Sequence, residues 1–256
     1  MRFIHASSVL LTLALTAALQ AADNPSPAAT QNAPKAAAKA PVSPATNSVP
    51  AATNAGPRAQ ATNQAPSAPK IPDDQYTNTV GMQFIKVGDF WAGKYLVTQK
   101  EYQEIMGANP SEFQGDLRPV DNMSWEDAME FCKKLTEHEA KELPEGFTYT
   151  LPTEDQWNSL VGDATLANAV TSEVNSRGGT SPVGSLGPNN LGLYDIRGNL
   201  WEFCRESSKP YRVLKGGSWQ DRIDINLRTA FRYYVRPDEH KNIFGFRCVL
   251  LPHPPS

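Results

Sequence analysis

Histidine and cysteine are scarce here, with four and three residues among 256. No Cys-x-x-Cys pair occurs, which excludes a thioredoxin-type redox centre. His138 is followed by Glu139 and Lys141-Glu142, so no His-Glu-x-x-His motif forms, and His5, His138, His240 and His253 are too dispersed to hold iron as a cluster. Aromatic residues are missing from Asp23 to Pro72, a stretch with 15 alanines and 10 prolines that cannot repay the entropy of ordering. After the amino-terminal segment there is no further long apolar run, which argues against an integral membrane protein. Positive charge is lacking as well. Beyond Ile71 there are 19 basic and 26 acidic residues, a formal charge of −7 without a basic stripe, and nucleic-acid binding is disfavoured.

Three segments and a tail are expected. Residues 1–22 carry an apolar run from Val9 to Leu19 followed by Ala21 and Ala22, the pattern of a secretory signal peptide. Residues 23–72 form a semi-extended spacer in which Ala-Thr-Asn recurs at 45–47, 52–54 and 61–63. One domain occupies 73–251, and 252–256 is a tail. Within the domain, short alternating apolar segments around Phe84, Phe90 and Tyr95 read as a hairpin or meander. Capping boxes at Thr98/Glu101, Ser124/Asp127 and Thr153/Gln156 start three helices. Gly107 and Gly162 stop the first and third, and Pro144 with Gly146 closes the second. From Gly178 onward the chain is rich in Gly, Asn and aromatics with only short apolar bursts. Helices first and a loop-rich β half afterwards predict an α+β fold.

Five segments in order resemble one family. They are Trp125-Glu-Asp-Ala with Cys132; Leu151-Pro-Thr-Glu-Asp-Gln-Trp157; Pro188-Asn-Asn-Leu-Gly-Leu-Tyr-Asp-Ile-Arg-Gly-Asn-Leu-Trp-Glu202; Gly216-Gly-Ser-Trp219; and Gly245-Phe-Arg-Cys248. Together they resemble the formylglycine-generating enzyme, or sulfatase-modifying factor, family, and imply its elaborated C-type-lectin-like fold. Catalytic members oxidise a substrate cysteine through two cysteines that hold copper. At the matching positions stand Asp221 and Asn226, neither of which can supply a thiolate, so no copper and no formylglycine generation are expected. Ser218 reads as a turn hydroxyl rather than a nucleophile, since no strand–Ser–helix elbow surrounds it.

The resemblance also implies metal sites and a disulfide. Asp195 and Glu202, with the carbonyls of Gly198 and Leu200, match a structural calcium site, and oxygen donors of that kind suit Ca²⁺. From the residues alone, Asp195 as a turn cap and Glu202 paired with an arginine such as Arg197 or Arg205 is an alternative. Asn168, Ala169, Asn175 and Arg177 match a second, weaker calcium set. Cys132 and Cys248 match a family disulfide, whose long loop would contribute about 4–5 kcal/mol. A second family disulfide falls on Val161 and Phe231, where an apolar contact is expected instead. Cys204 reads as a small buried hydrophobe. A ligand groove is expected around Trp219, Asp221, Arg222, Asn226, Arg228 and Arg232, whose charges and aromatic ring suit a peptide or glycan. The resulting expectation is an exported, calcium-stabilised, non-catalytic binding or structural module in the periplasm or envelope of a bacterium, acting on an extracytoplasmic polypeptide or glycan. The alternative is a protein-modifying enzyme with a non-canonical site.

Overall fold

The computed structural model describes residues 70, 72–171, 176–222 and 225–252. The expected signal, nearly all of the spacer, Asn175 and the end of the tail lie outside the described residues.

Local sequence accounts for the helices. Helix α1 (Gln99–Met106) begins where the Thr98 hydroxyl accepts the Glu101 N–H and the Glu101 carboxylate accepts the Thr98 N–H at 2.8 Å. Helix α2 (Trp125–His138) and helix α3 (Glu154–Leu160) repeat that reciprocal cap with Ser124/Asp127 and Thr153/Gln156. Gly107 ends α1 in the left-handed conformation, as its position predicts. α2 stops before the expected Pro144. Its next residue, Glu139, is buried and turns its carboxylate to the N–H and hydroxyl of Thr79, a tertiary contact that the local pattern does not encode.

Two sheets carry the domain. The first contains β1 (Gln75–Thr77), β2 (Gln83–Val87), β3 (Phe90–Gly93), β4 (Phe147–Thr150) and β9 (Val249–Pro252) in the order β1-β2-β3-β9-β4, all antiparallel. β2 and β3 are the expected hairpin; the Tyr95–Val97 stretch forms no strand of it. The second contains β5 (Trp201–Ser208), β6 (Tyr211–Lys215), β7 (Tyr233–Val235) and β8 (Phe244–Gly245) in the order β7-β6-β5-β8. Here β5 pairs antiparallel with β6 but parallel with β8, Glu202 lying opposite Gly245. This is an α+β fold.

α2 packs on α1 and β4, and α3 packs on β5 and β6. One apolar cluster joins Phe84, Trp91, Phe131, Trp201, Phe244 and Phe246; another joins Trp157, Leu160, Ile196, Cys204, Val213 and Val249. Val161 lies in the second cluster, and Phe231 packs on Trp201 at the edge of the first. Among the described residues, no helix is long and apolar enough to cross a membrane.

Candidate functional site

The turn that leads into β5 holds Asp195, and the start of β5 holds Glu202. Asp195 and Asn199 take left-handed backbone angles, φ 56° and 62°, and Gly198 fits between them because a Cβ there would lie 2.4 Å from the Val170 carbonyl oxygen. Asp195 is buried. Its Oδ2 accepts the Gly184 N–H at 2.8 Å and its Oδ1 faces Asn199 Nδ2 at 3.5 Å. Glu202 is also buried and pairs with Arg247, whose Nε donates to Oε2 at 3.1 Å and Nη2 to Oε1 at 3.0 Å. Burial raises both carboxyl pKa values, and the Arg247 charge opposes that rise at each. Glu202 thus pairs with an arginine, as the alternative reading expects, and the arginine is Arg247 rather than Arg197 or Arg205.

This donor set is compatible with a hard cation. The buried Arg247 guanidinium pairs with Glu202, and buried Asp195 makes no ion pair among the described residues, which leaves one excess negative charge when both acids are ionised. Each carboxylate oxygen retains a lone pair beyond its described bond, and among the described residues no backbone hydrogen bond reaches the Gly198 or Leu200 carbonyl. Asp195, Glu202 and those two carbonyls are the groups that would hold the ion.

The second set is not assembled by the described residues. Asn168 lines a small cavity of about 130 Å³ that Asp195 also borders, and Ala169 is buried beside it. Arg177 sits at φ 44° on a different cleft, and Asn175 is outside the described residues.

Cys132 on α2 and Cys248 before β9 are buried with their sulfurs 3.6 Å apart, as two thiols. Cys204 on β5 is buried too, and desolvation, with Glu206 and Glu202 nearby, raises its thiol pKa far above the ordinary range. It is unsuited to act as a thiolate.

At the two positions that the resemblance matches to the cysteine pair, Asn226 Nδ2 donates to Asp221 Oδ1 at 2.7 Å. Asp221 Oδ2 accepts from Ser218 N at 2.8 Å and from Ser218 Oγ at 2.7 Å. The two positions are thus adjacent and bonded, and they offer a carboxylate and an amide. Ser218 is a turn hydroxyl, as read from the sequence. Trp219 packs elsewhere: it is half-buried, donates to the Asn242 carbonyl at 3.1 Å, and meets Phe113 edge-on with centroids 5.2 Å apart. Arg222 and Arg228 are exposed. Arg232 is engaged elsewhere, its Nε 2.7 Å from Glu154, which buried Lys215 also approaches at 3.4 Å. Of the six expected groove residues, Asp221 and Asn226 are the two bonded to each other among the described contacts.

Sequence reading missed the role of Arg247, although the Gly245-Phe-Arg-Cys248 segment contains it, and missed Phe113 and Arg118 altogether. An arginine immediately before a C-terminal core strand was the available signal for the first.

Comparison with known proteins places this geometry in context. The model of the sulfatase-modifying factor enzyme 1-like domain matches residues 37–251. The chain is similar to the chaperone protein LppX of Paenibacillus barcinonensis, 30% identical over 203 residues, with 55% of this chain and 72% of the relative covered. It is also similar to the inactive C-alpha-formylglycine-generating enzyme 2 of Bos taurus, 31% identical over 155 residues, covering 51% of this chain and 50% of that protein. Only about half of the latter relative's length is spanned. Among solved structures, variable protein 1 of Treponema denticola superposes with a TM-score of 0.61 at 24% identity, covering 71% of this chain and all of that one. PvdO from Pseudomonas aeruginosa gives 0.57 at 16% identity, over 71% and 99%. These structural likenesses are likenesses of fold.

Proposed function

The chain belongs to the sulfatase-modifying factor enzyme 1-like family, and we propose that it keeps the family's fold as an exported, non-catalytic module that binds or scaffolds an extracytoplasmic polypeptide or glycan. One observation carries the reading. The two positions that would need thiols are occupied by Asp221 and Asn226, which hydrogen-bond to each other at 2.7 Å. Copper(I) prefers thiolate ligands, and a carboxylate–amide pair offers hard oxygen and a neutral nitrogen that is not a donor to metals. The remaining described thiols are buried in the core, where none can exchange with a substrate cysteine. Two relatives bear names that denote no cysteine oxidation, an inactive formylglycine-generating enzyme and a chaperone, and this supports the same reading.

A calcium ion on Asp195, Glu202 and the Gly198 and Leu200 carbonyls is part of the proposal, supported by the buried two-to-one ratio of carboxylate to guanidinium. It would brace the turn before β5 and leave the chemistry of the Asp221 cluster unchanged. Export is supported by the amino-terminal apolar run and the Ala/Pro-rich spacer.

The test is incubation of the full chain with copper and a peptide carrying the cysteine motif of a sulfatase, read by peptide mass. No change is expected. Loss of sulfur and two hydrogens with gain of one oxygen would establish the enzyme alternative.

A further inference from the structure

We propose that the cleft between Phe113, Arg118 and the 177–181 turn binds an anionic saccharide, a short sugar bearing a carboxylate or a sulfate. The inference rests on the binding-module reading and names its ligand class. The cleft measures about 540 Å³, and Gln114, Arg177, Thr180 and Ser185 complete its polar lining with Arg118. That volume lies in the range of about 300–1,000 Å³ usual for small-ligand sites.

Two arginines give this cleft its charge. Among the described residues no Asp or Glu lines it, although beyond Ile71 the chain as a whole carries 26 acidic and 19 basic residues. Arg232, Arg236 and Arg247 each pair with a carboxylate, whereas Arg118 and Arg177 have none within ion-pair distance among the described residues. Arg118 is held in place all the same. Its N–H donates to the Gly115 carbonyl at 2.8 Å, its own carbonyl accepts the Gln99 N–H at 2.9 Å, and its Nη1 reaches Thr180 Oγ1 at 3.4 Å. Two guanidinium groups in a shared cleft, neither in an ion pair among the described residues, form a receptor for a carboxylate or sulfate.

The opposite wall is built in advance. Asn199 is fully buried; its side chain accepts the Ser181 N–H at 3.0 Å and donates to the Ser181 carbonyl at 3.1 Å. Asp195 fixes Gly184 two residues past Pro182. The Phe113 ring lies directly on the backbone of Gly179, where a Cβ would come within 2.8 Å of it. Asp121 in turn accepts the N–H groups of Glu112 and Phe113 at 2.8 and 3.4 Å, pinning the loop that carries the ring. Aromatic carbon beside hydroxyl, amide and guanidinium groups suits a sugar ring with an acidic substituent. An extended peptide would instead seek a strand edge for its main chain, and no residue of a described strand lines this cleft.

Calorimetric titration of the full chain with a sulfated disaccharide, a uronate disaccharide, an unsubstituted disaccharide, inorganic sulfate and an acidic peptide tests the assignment. At least one anionic disaccharide should bind, and the two arms tell sulfate from carboxylate. The neutral sugar and free sulfate should bind at least about ten-fold more weakly. Arg118→Gln and Arg177→Gln should each weaken the anionic sugar by about ten-fold, Arg177→Lys should recover part of that loss, and Arg236→Gln should leave affinity unchanged. Thermal melts of each variant report whether it is folded. The proposal is overturned if no saccharide binds, if free sulfate binds as well as the sugar, if the acidic peptide binds more tightly, or if affinity survives both glutamine variants. Conversion of a cysteine peptide in the parallel assay would sink the non-catalytic reading and leave this ligand class standing.

Discussion

Arg247→Leu would remove a side chain that is fully buried and bonded at four points: Glu202 Oε1 and Oε2, the Gly93 carbonyl at 2.9 Å and the Tyr194 carbonyl at 2.7 Å. Stranding one partner of a buried ion pair costs about 3–5 kcal/mol. Each orphaned carbonyl adds about 1 kcal/mol once the structure relaxes. The sum, about 5–7 kcal/mol, is comparable with the whole stability of an ordinary domain. Urea unfolding of the full chain, followed by tryptophan fluorescence in chelator and again in excess calcium, would measure it. Three outcomes are expected. The variant is severely destabilised in chelator. The Glu202→Leu/Arg247→Leu pair loses less than the single variant, because an apolar pair replaces an ion pair with little net loss. Calcium rescues the single variant more than wild type, since Asp195 and Glu202 are then left without a guanidinium; an ion at a hundred times its dissociation constant supplies about 2.7 kcal/mol. A cost under about 1 kcal/mol for Arg247→Leu would refute the argument that this pair holds the fold together. A double variant that loses as much as the two singles combined would refute the coupling.

Further outcomes are expected elsewhere. Burial pushes the Asp121 carboxyl up to about 6; its neutral form is favoured in the folded state, so its contribution is full below about pH 4 and is lost as pH rises through about 6. Asp121→Asn should therefore flatten the stability profile over that window, by on the order of 2–3 kcal/mol, and an unchanged slope in pH-dependent urea melts would contradict the assignment. Alkylation of the denatured, unreduced chain should label only Cys204, with three labels after reduction, if the adjacent thiols of Cys132 and Cys248 oxidise on export. Three labels before reduction would count against the disulfide. Gly198→Ala should cost about 3 kcal/mol or more, since it meets both a φ of 76° and the Val170 carbonyl oxygen at 2.4 Å; a near-neutral melt would mean the turn before β5 is looser than its geometry.

The parts that were legible in the sequence are those fixed within a few residues. All three helix starts are capping boxes, in which the hydroxyl at Thr98, Ser124 or Thr153 and the side chain three residues on satisfy each other, so chain separation alone locates them. The end of α2 was hidden because Glu139 answers to Thr79, 60 residues away. Asp195 and Glu202 could be marked as a pair by their spacing, but the partner of Glu202 depends on β5 lying parallel to β8, which brings Gly245 opposite Glu202 and Arg247 alongside. No local pattern specifies a parallel pairing across 40 residues. The Asp221–Asn226 substitution followed from family positions alone, and the structure adds that the two side chains touch. The arginine cleft was invisible for a similar reason: Phe113 and Gly179 meet through tertiary packing, and an arginine without a carboxylate partner is recognisable only once its surroundings are known.

Copper(I) retention tests the central claim most directly. The full chain and an Asp221→Cys/Asn226→Cys variant would be loaded anaerobically, passed through a desalting column against a competing thiol, and assayed for bound metal. No copper is expected on the natural chain and about one ion on the variant, because the two positions are already adjacent and lack only thiolates. Stoichiometric copper on the natural chain would contradict it.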